Sequence, residues 1–289
     1  MNYYERIQQA IEYIESQLQE ETSITDIASK AYFSAFHFQR VFQAISGFTV
    51  QTYIRKRRLS EAAILLENTE QSVLEIAVAF QYQSQEAFTR AFENCFGLTP
   101  GRYRRNPSSV TKQAKIRFLD LQTRRIGDVD MKKPTIIQVD PIPIIGRAYE
   151  TNLNNDKHFE EIPGFYHDFG VTESYLRIPG QRTPGMSYGI ACNFEASGAF
   201  TFIVGEEVHK QANELEQGFI NFEIPSGKYA EFVAHGPHGL VQDTRNYIYG
   251  TWLANANYER TDGPDFEITD VMNSTFPHDL KIKIYIPIK

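Results

Sequence analysis

Two arginines, Arg40 and Arg90, stand fifty positions apart in one shared frame: SAFHFQRVF at 34–42 and SQEAFTRAF at 84–92 both read Ser-x-x-x-Phe-x-Arg-x-Phe. A guanidinium is a rigid fork of donors that matches the paired acceptors on a guanine edge or the oxygens of a phosphate. The outward letters around the frame differ. The first copy carries Ala35, Phe36, Gln39 and Gln43; the second carries Gln85, Glu86 and Thr89. Gln can pair with adenine, a carboxylate can accept from the cytosine amino group, and Phe36 can lie against a thymine methyl. A different chemistry is written near the C-terminus, where Glu267 sits in the apolar run DFEIT. A carboxylate half-buried among Tyr149, Tyr188, Phe194, Tyr247, Trp252, Phe266 and Tyr285 would attract a cation, as aromatic faces themselves do.

The elements that must hold these groups follow from apolar spacing. In residues 3–105 it runs near 3.6: Ile7, Ile11, Ile14 and Leu18 make one helical stripe. Helices are predicted over about 3–20, 24–31, 35–46, 50–67, 73–80, 85–96 and 100–104. Ser34 and Ser84 stand at N-cap positions, Gly47 and Gly97 at C-terminal stops, and Thr49 and Thr99 offer the next caps. The match extends beyond nine letters, through Gly47, Thr49 and Tyr53 in one copy and Gly97, Thr99 and Tyr103 in the other. A period of this size is a supersecondary unit used twice, here a short helix, a tight turn and a longer helix, which is the helix-turn-helix plan. Phe38 with Phe42, and Phe88 with Phe92, are four apart and supply the inward faces.

Charge agrees with that division. Residues 1–133 hold 18 Lys and Arg against 15 Asp and Glu, while residues 134–289 hold 11 against 21, within a total of -7. No acidic residue occurs between Ala31 and Leu59, a stretch that includes IRKRR with Arg55, Lys56, Arg57 and Arg58. Basic groups beside two reading helices suit phosphate contact. Ser34 and Ser84 are caps that can also touch phosphate.

The runs IASKAYFSAFHFQRVFQAISGFTVQTYIRKRRLSEAAILL and IAVAFQYQSQEAFTRAFENCFGLTPGRYR resemble the DNA-binding domain of AraC-type transcription regulators. The resemblance implies two helix-turn-helix units joined by the helix at about 50–67, with their second helices in successive major-groove segments. It places base contacts at Phe36, Gln39 and Arg40 in the first copy and at Gln85, Glu86, Thr89 and Arg90 in the second.

After residues 107–133, read as a linker with a short strand or helix at 115–121, the text turns strand-like. TIIQV, IIGRAY, SYGIACNF, AFTFIVG, FINFEI, KYAEFVA, DFEIT and KIKIYIPI are β-rich runs punctuated by turn residues. Two helices fit, over about 156–169 and 239–255. Strands interrupted by isolated helices imply an α+β domain on an antiparallel sheet. The expected chain is therefore multidomain: an all-α domain over 1–106, the linker, and the α+β domain over 134–289. IPSGKYAEFVAHG, YIYGTWLANANY, GPDFEIT and KIKIYIPIK, in that order, resemble a GyrI-like effector-binding domain. That resemblance implies two pseudo-repeated βαββ units around a cleft for a hydrophobic, often cationic, compound, with the family's glutamate at Glu267.

The expected partners are double-stranded promoter DNA and a small-molecule effector, with no cofactor and no metal. His235 and His238 lie in a Gly/Pro loop without further paired ligands, and SGKY lacks the glycines and Ser/Thr of a phosphate loop. Two other readings of the second half stay open, a hydrolase using Glu267 and a surface for a protein partner such as RNA polymerase. Two cysteines far apart, no signal-like N-terminus and no apolar run long enough to span a bilayer point to the cytoplasm and away from a membrane.

Overall fold

The computed structural model describes residues 2–107, 110–121, 133–154 and 157–289. Backbone contacts divide the chain into two compact units, Met1–Phe38 with Ser46–Thr123, and Gln39–Ile45 with Arg124–Lys289.

The helices before the sheet are α1 (Tyr3–Ser16), α2 (Ile24–Lys30), α3 (Ala35–Ser46), α4 (Val50–Asn68), α5 (Val73–Ala79), α6 (Gln85–Phe96) and α7 (Pro100–Arg105). All belong to the helical unit except Gln39–Ile45 of α3, which the contacts assign to the second unit. Caps set most boundaries. Asn2 with Glu5 and Ser72 with Glu75 form reciprocal capping boxes, and Ser23, Thr49, Ser84 and Thr99 each accept the N–H three residues on. Gly97 ends α6 at φ 78, a conformation that a Cβ disfavours. The first helix stops at Ser16, short of the predicted residue 20, although Leu18 is still buried beyond it. In the turns between paired helices, Tyr32 and Gln81 both adopt positive φ, 56 and 66. Ile27 and Ala28 in α2 match Ile76 and Ala77 in α5, all buried. The duplicated tyrosines Tyr53 and Tyr103 are fully buried and each donates its hydroxyl to a carboxylate, Glu15 and Glu67.

Part of the linker expected over 107–133 lies outside the described residues. Its described portion runs along the helical unit. Gln113 N–H donates to Ser60 Oγ at 2.8 Å, Ile116 N–H to the Tyr53 hydroxyl at 3.2 Å, and Phe118 N–H to Gln8 Oε1 at 2.7 Å. Phe118 is fully buried and opens a 3-10 turn, Phe118–Leu121. This stretch packs as part of the helical unit.

The second unit is one sheet of eight strands: β1 (Thr135–Val139), β2 (Ile142–Asn152), β3 (Met186–Cys192), β4 (Ala199–Glu207), β5 (Phe219–Ile224), β6 (Gly227–Gly236), β7 (Asp265–Asp270) and β8 (Leu280–Pro287). All neighbours are antiparallel, in the order β1-β6-β8-β7-β3-β4-β2-β5. The order is symmetric about the central β7–β3 pair. One ββαββ repeat is β1 to β4 around α8 (His158–Val171), and the other is β5 to β8 around α9 (His238–Tyr247). Each repeat lends its first strand to the edge of the other. After α9 the chain makes a π-helical turn, Ile248–Trp252, before the last turn α10 (Leu253–Asn255).

Register sorts the sheet into two faces. Tyr149 lies opposite Phe202, Gly189 opposite both Val204 and Glu267, and Ile284 opposite both Glu267 and Phe232. Both helices cover this face: Phe165 and Tyr166 of α8 meet Tyr149 and Phe202, and Trp252 meets Phe232. The other face carries an apolar cluster with Ile144, Tyr188, Ile190, Ile203, Tyr229, Phe266 and Tyr285.

Candidate functional site

On α6 the side chains divide cleanly. Phe88 and Phe92 are fully buried, while Gln85, Glu86 and Arg90 are exposed and Thr89 is half-buried on the opposite side. Four polar groups at spacings of one, four and five residues share one helical face. Ser84 caps this helix, accepting the Ala87 N–H at 3.1 Å. The Glu86 carboxylate turns back onto its own backbone N–H and the Ser84 hydroxyl, which hold it below the usual carboxylate range. In the first copy the matching turns of α3 are not exposed in the same way. Ala35, Arg40 and Gln43 are half-buried, and Phe36 and Gln39 are buried as Phe38 and Phe42 are, while Ser34 accepts the His37 N–H at 3.4 Å.

The basic run on α4 does not act as one surface. Arg55 is exposed. Arg57, two residues on, is buried: it reaches Glu15 and Glu61 at 2.7 Å each and donates to Gln113 O at 2.7 Å. Arg58 donates to Leu18 O and Glu20 O at 2.8 Å. Arg104 donates to Leu66 O and Gln71 O. Of the basic groups of IRKRR expected to face phosphate, Arg57 and Arg58 instead tie helices and chain ends together, as Arg104 of α7 also does. The period of α4 turns neighbouring basic residues in different directions.

Glu267 is 6% exposed on the helix-covered face. It accepts from the Tyr166 hydroxyl at 2.7 Å and pairs with Arg245 of α9. The cation that the sequence implies for this carboxylate is thus supplied within the unit. Burial opposes the Arg245 charge, and Glu267 more than offsets it, so its pKa lies above the ordinary arginine value. Burial, then the Glu267 charge, pushes the Tyr166 hydroxyl well above 10. Tyr166 reaches Glu267 because Gly189 stands between them in the sheet. A Cβ there would lie 1.8 Å from the Tyr166 oxygen and 2.9 Å from Phe202 Cζ. Gly189→Ala is therefore expected to push Tyr166 off Glu267 and to cost about 1–3 kcal/mol. Urea unfolding that matches wild type would refute this.

The aromatics expected around Glu267 are divided. Tyr149 shares its face, packed on Phe165 with centroids 5.4 Å apart. Trp252 also lies over that face, 5.0 Å from Phe232 and stacked at 6.2 Å on Tyr258. Tyr247 ends α9 and is half-buried. Tyr188 and Tyr285 belong to the opposite face, where Tyr285 stacks on Phe266 at 4.4 Å. Phe194 follows β3, with Arg260 5.4 Å above its ring and Phe200 6.1 Å away. His235 pairs with Asp279 at 2.9 Å.

A second carboxylate, Glu206 of β4, lies on the helix-covered face by register, opposite Ser187. It is 3% exposed and its Oε2 has no hydrogen-bond partner. Burial pushes its pKa from 4.5 to about 7 against the Gly185 N–H. A raised folded-state value means that the unfolded chain releases the proton first. Stability is full below about 4.5, falls between 4.5 and 7, and levels off above. Glu206→Gln should match wild type near pH 4.5 and exceed it at pH 8 by about 1–3 kcal/mol in denaturant unfolding. Equal stability at both pH values would refute the assignment.

Tyr166, Arg245, Glu206 and the buried Arg260–Asp265 pair, 2.7 Å apart, carry polar chemistry on this face, and the sequence pattern does not single them out. A signal for Arg245 exists: it is the sole Lys or Arg in the helix predicted over 239–255, and a buried carboxylate needs a partner. Nothing comparable marks Tyr166, which is one of 16 tyrosines.

Comparison with known proteins agrees with both units. Residues 135–288 match the family described as Integron-associated effector binding protein, and residues 27–106 match a helix-turn-helix domain. The Transcriptional regulator Rob of Salmonella typhimurium is 29% identical over 289 residues, covering 96% of each chain. The Right origin-binding protein of Escherichia coli is 28% identical over 292 residues, again covering 96% of each. An integron cassette protein of Vibrio cholerae aligns with 55% of this chain and 97% of its own at 21% identity and a TM-score of 0.41. The chain belongs to the family of integron-associated effector binding proteins, with its GyrI-like domain placed behind an AraC-type helix-turn-helix domain.

Proposed function

We propose that the chain is a ligand-responsive transcription regulator that reads a promoter through α3 and α6 and binds an effector in the sheet unit. The observation that carries the DNA half is the exposed face of α6, where Gln85, Glu86, Thr89 and Arg90 project opposite two buried phenylalanines. Ala35, Phe36, Gln39, Arg40 and Gln43 take the corresponding role on α3 by their place in the fifty-residue repeat; Phe36 and Gln39 are buried, so their reading of bases requires α3 to expose them. Ser34, Ser84 and Arg55 meet phosphate. One chain then covers two unlike half-sites, which the difference between the outward letters requires. The full-length resemblance to proteins named as a transcriptional regulator and an origin-binding protein supports DNA as the partner.

The test is competition between a selected duplex and random DNA at moderate salt. Arg90→Ala should weaken the specific complex by about 1–3 kcal/mol and relax preference at one base pair if Arg90 reads guanine. A uniform loss on all sequences would assign Arg90 to phosphate, and no sequence preference in wild type would end the proposal.

The effector site lies between α8 and α9 over Glu267, with Tyr149, Tyr166, Tyr247 and Trp252 as its aromatic surroundings. Because Arg245 already neutralises Glu267, the effector is a hydrophobic compound whose cationic or hydrogen-bonding group competes with Arg245. Binding without turnover is expected, and RNA polymerase is the protein partner through which the regulator acts. Turnover of a bound compound that disappears in Glu267→Gln would make the domain a hydrolase instead.

A further inference from the structure

Within the helical unit, a cavity of about 440 Å³ opens between α1, α2, α4 and the turn after α5. That volume is in the range of small-molecule sites. Its apolar wall includes Ile14, Ile24, Ile27, Ile54 and Phe80. Arg55 and Arg58 also line it.

These two arginines differ from Arg57 between them. Arg57 has two carboxylate partners, Glu15 and Glu61. Among the described residues Arg58 donates to two backbone carbonyls, and burial lowers its pKa even though the Tyr82 and Glu21 groups nearby act to raise it. No carboxylate lies within ion-pair distance of Arg55 or Arg58 among the described residues. A partly desolvated guanidinium beside an apolar wall favours an anion, and the fork geometry favours a carboxylate. The walls are also incompletely satisfied. Two lining residues have buried atoms without hydrogen-bond partners, the Thr22 hydroxyl, which can donate to a carboxylate, and Gln51 Oε1, an acceptor that a carboxylate does not satisfy. Buried polar atoms of this kind normally find a partner.

We propose that this cavity binds a small organic carboxylate, with the anion on Arg55 and Arg58 and an apolar body against the isoleucines and Phe80. The site is separate from the sheet unit and does not depend on the effector reading above. It touches the first helix of one helix-turn-helix unit, the turn of the other and the helix that joins them. Occupancy therefore bears on the spacing of the two units. Arg55 is also the expected phosphate contact, so acid and DNA compete for it.

The test uses the full chain with isoleucine δ1 methyls labelled for NMR, titrated with 3-phenylpropanoate and, separately, with the neutral 3-phenylpropanol. Saturable shifts at Ile14, Ile24, Ile27 and Ile54 are expected with the acid, and about tenfold weaker binding with the alcohol. Arg55→Gln, an exposed change that leaves thermal unfolding in place, should weaken the acid by a similar factor. Glu267→Gln should leave its affinity unchanged. The proposal is overturned by shifts confined to sheet isoleucines such as Ile190 and Ile203, by no saturable shift up to the millimolar range, or by equal affinity for acid and alcohol. Unchanged affinity in Arg55→Gln overturns the anion site equally.

Discussion

Arg57→Ala is expected to destabilise the helical unit by about 3–5 kcal/mol, the range for breaking a buried ion pair by removing one partner. The side chain reaches two parts of the unit that are distant in sequence, Glu15 on α1 and the Gln113 carbonyl in the strap beyond α7, and pairs with Glu61 one turn on along its own helix. Glu15 also accepts the Tyr53 hydroxyl at 2.7 Å. Burial opposes the arginine charge, but the two carboxylates outweigh it and raise its pKa above the ordinary value. Without the guanidinium, Glu15 keeps its burial and loses its counter-charge, and the strap loses an anchor. Arg57→Lys should recover part of the loss, because one ammonium cannot reproduce a fork that serves three acceptors. The control is Arg55→Ala, two positions away and exposed, which should stay within about 0.5 kcal/mol of wild type. Thermal and urea unfolding, followed by far-UV circular dichroism, measure both. Similar stabilities for the two alanine variants would show that the internal network contributes little.

Glu267→Ala should destabilise the sheet unit by a comparable amount, about 3–5 kcal/mol, through the group it leaves behind. Arg245 has 17% side-chain exposure and Glu267 has 8%, so the pair is largely withdrawn from water. Removing the carboxylate strands a guanidinium and the Tyr166 hydroxyl beneath two helices. The double variant Glu267→Ala with Arg245→Met should regain most of the loss, since an apolar replacement of both partners removes the unpaired charge. That pattern separates two explanations of a dead effector site. If the glutamate acts only on ligand, the single variant unfolds like wild type; if it is also the keystone of the helix-covered face, only the double variant does. A double-mutant cycle in urea gives the coupling directly.

Much of this protein is legible along the chain. The fifty-residue repeat, the serine and threonine caps, the glycine stop at Gly97 and the paired phenylalanines are local signals. They place α2 to α7 within a residue or two of where the spacing puts them. All eight β-rich runs are strands, because period-two alternation and turn residues act over a few positions. The strap at 110–121 is different. Its polar text reads as linker, and only Ser60, Tyr53 and Gln8, from helices far upstream, turn its N–H groups inward.

The same division runs through the sites. Sequence by itself determined the two kinds of unit, the outward letters of α6 and the acidity of the sheet half, since each depends on residue type and short-range period. Only the tertiary structure decided which arginine of IRKRR stays exposed and which is buried. It alone put Tyr188 and Tyr285 on the face away from Glu267, because side-chain direction in a strand depends on register with a partner elsewhere in the chain. It also decided that Glu267 has a counter-ion. Arg245 lies 22 residues upstream and reaches the carboxylate only because α9 folds back across the sheet. Charge pairing in a folded chain is set by distance in space, and that distance is fixed by packing that no local pattern records.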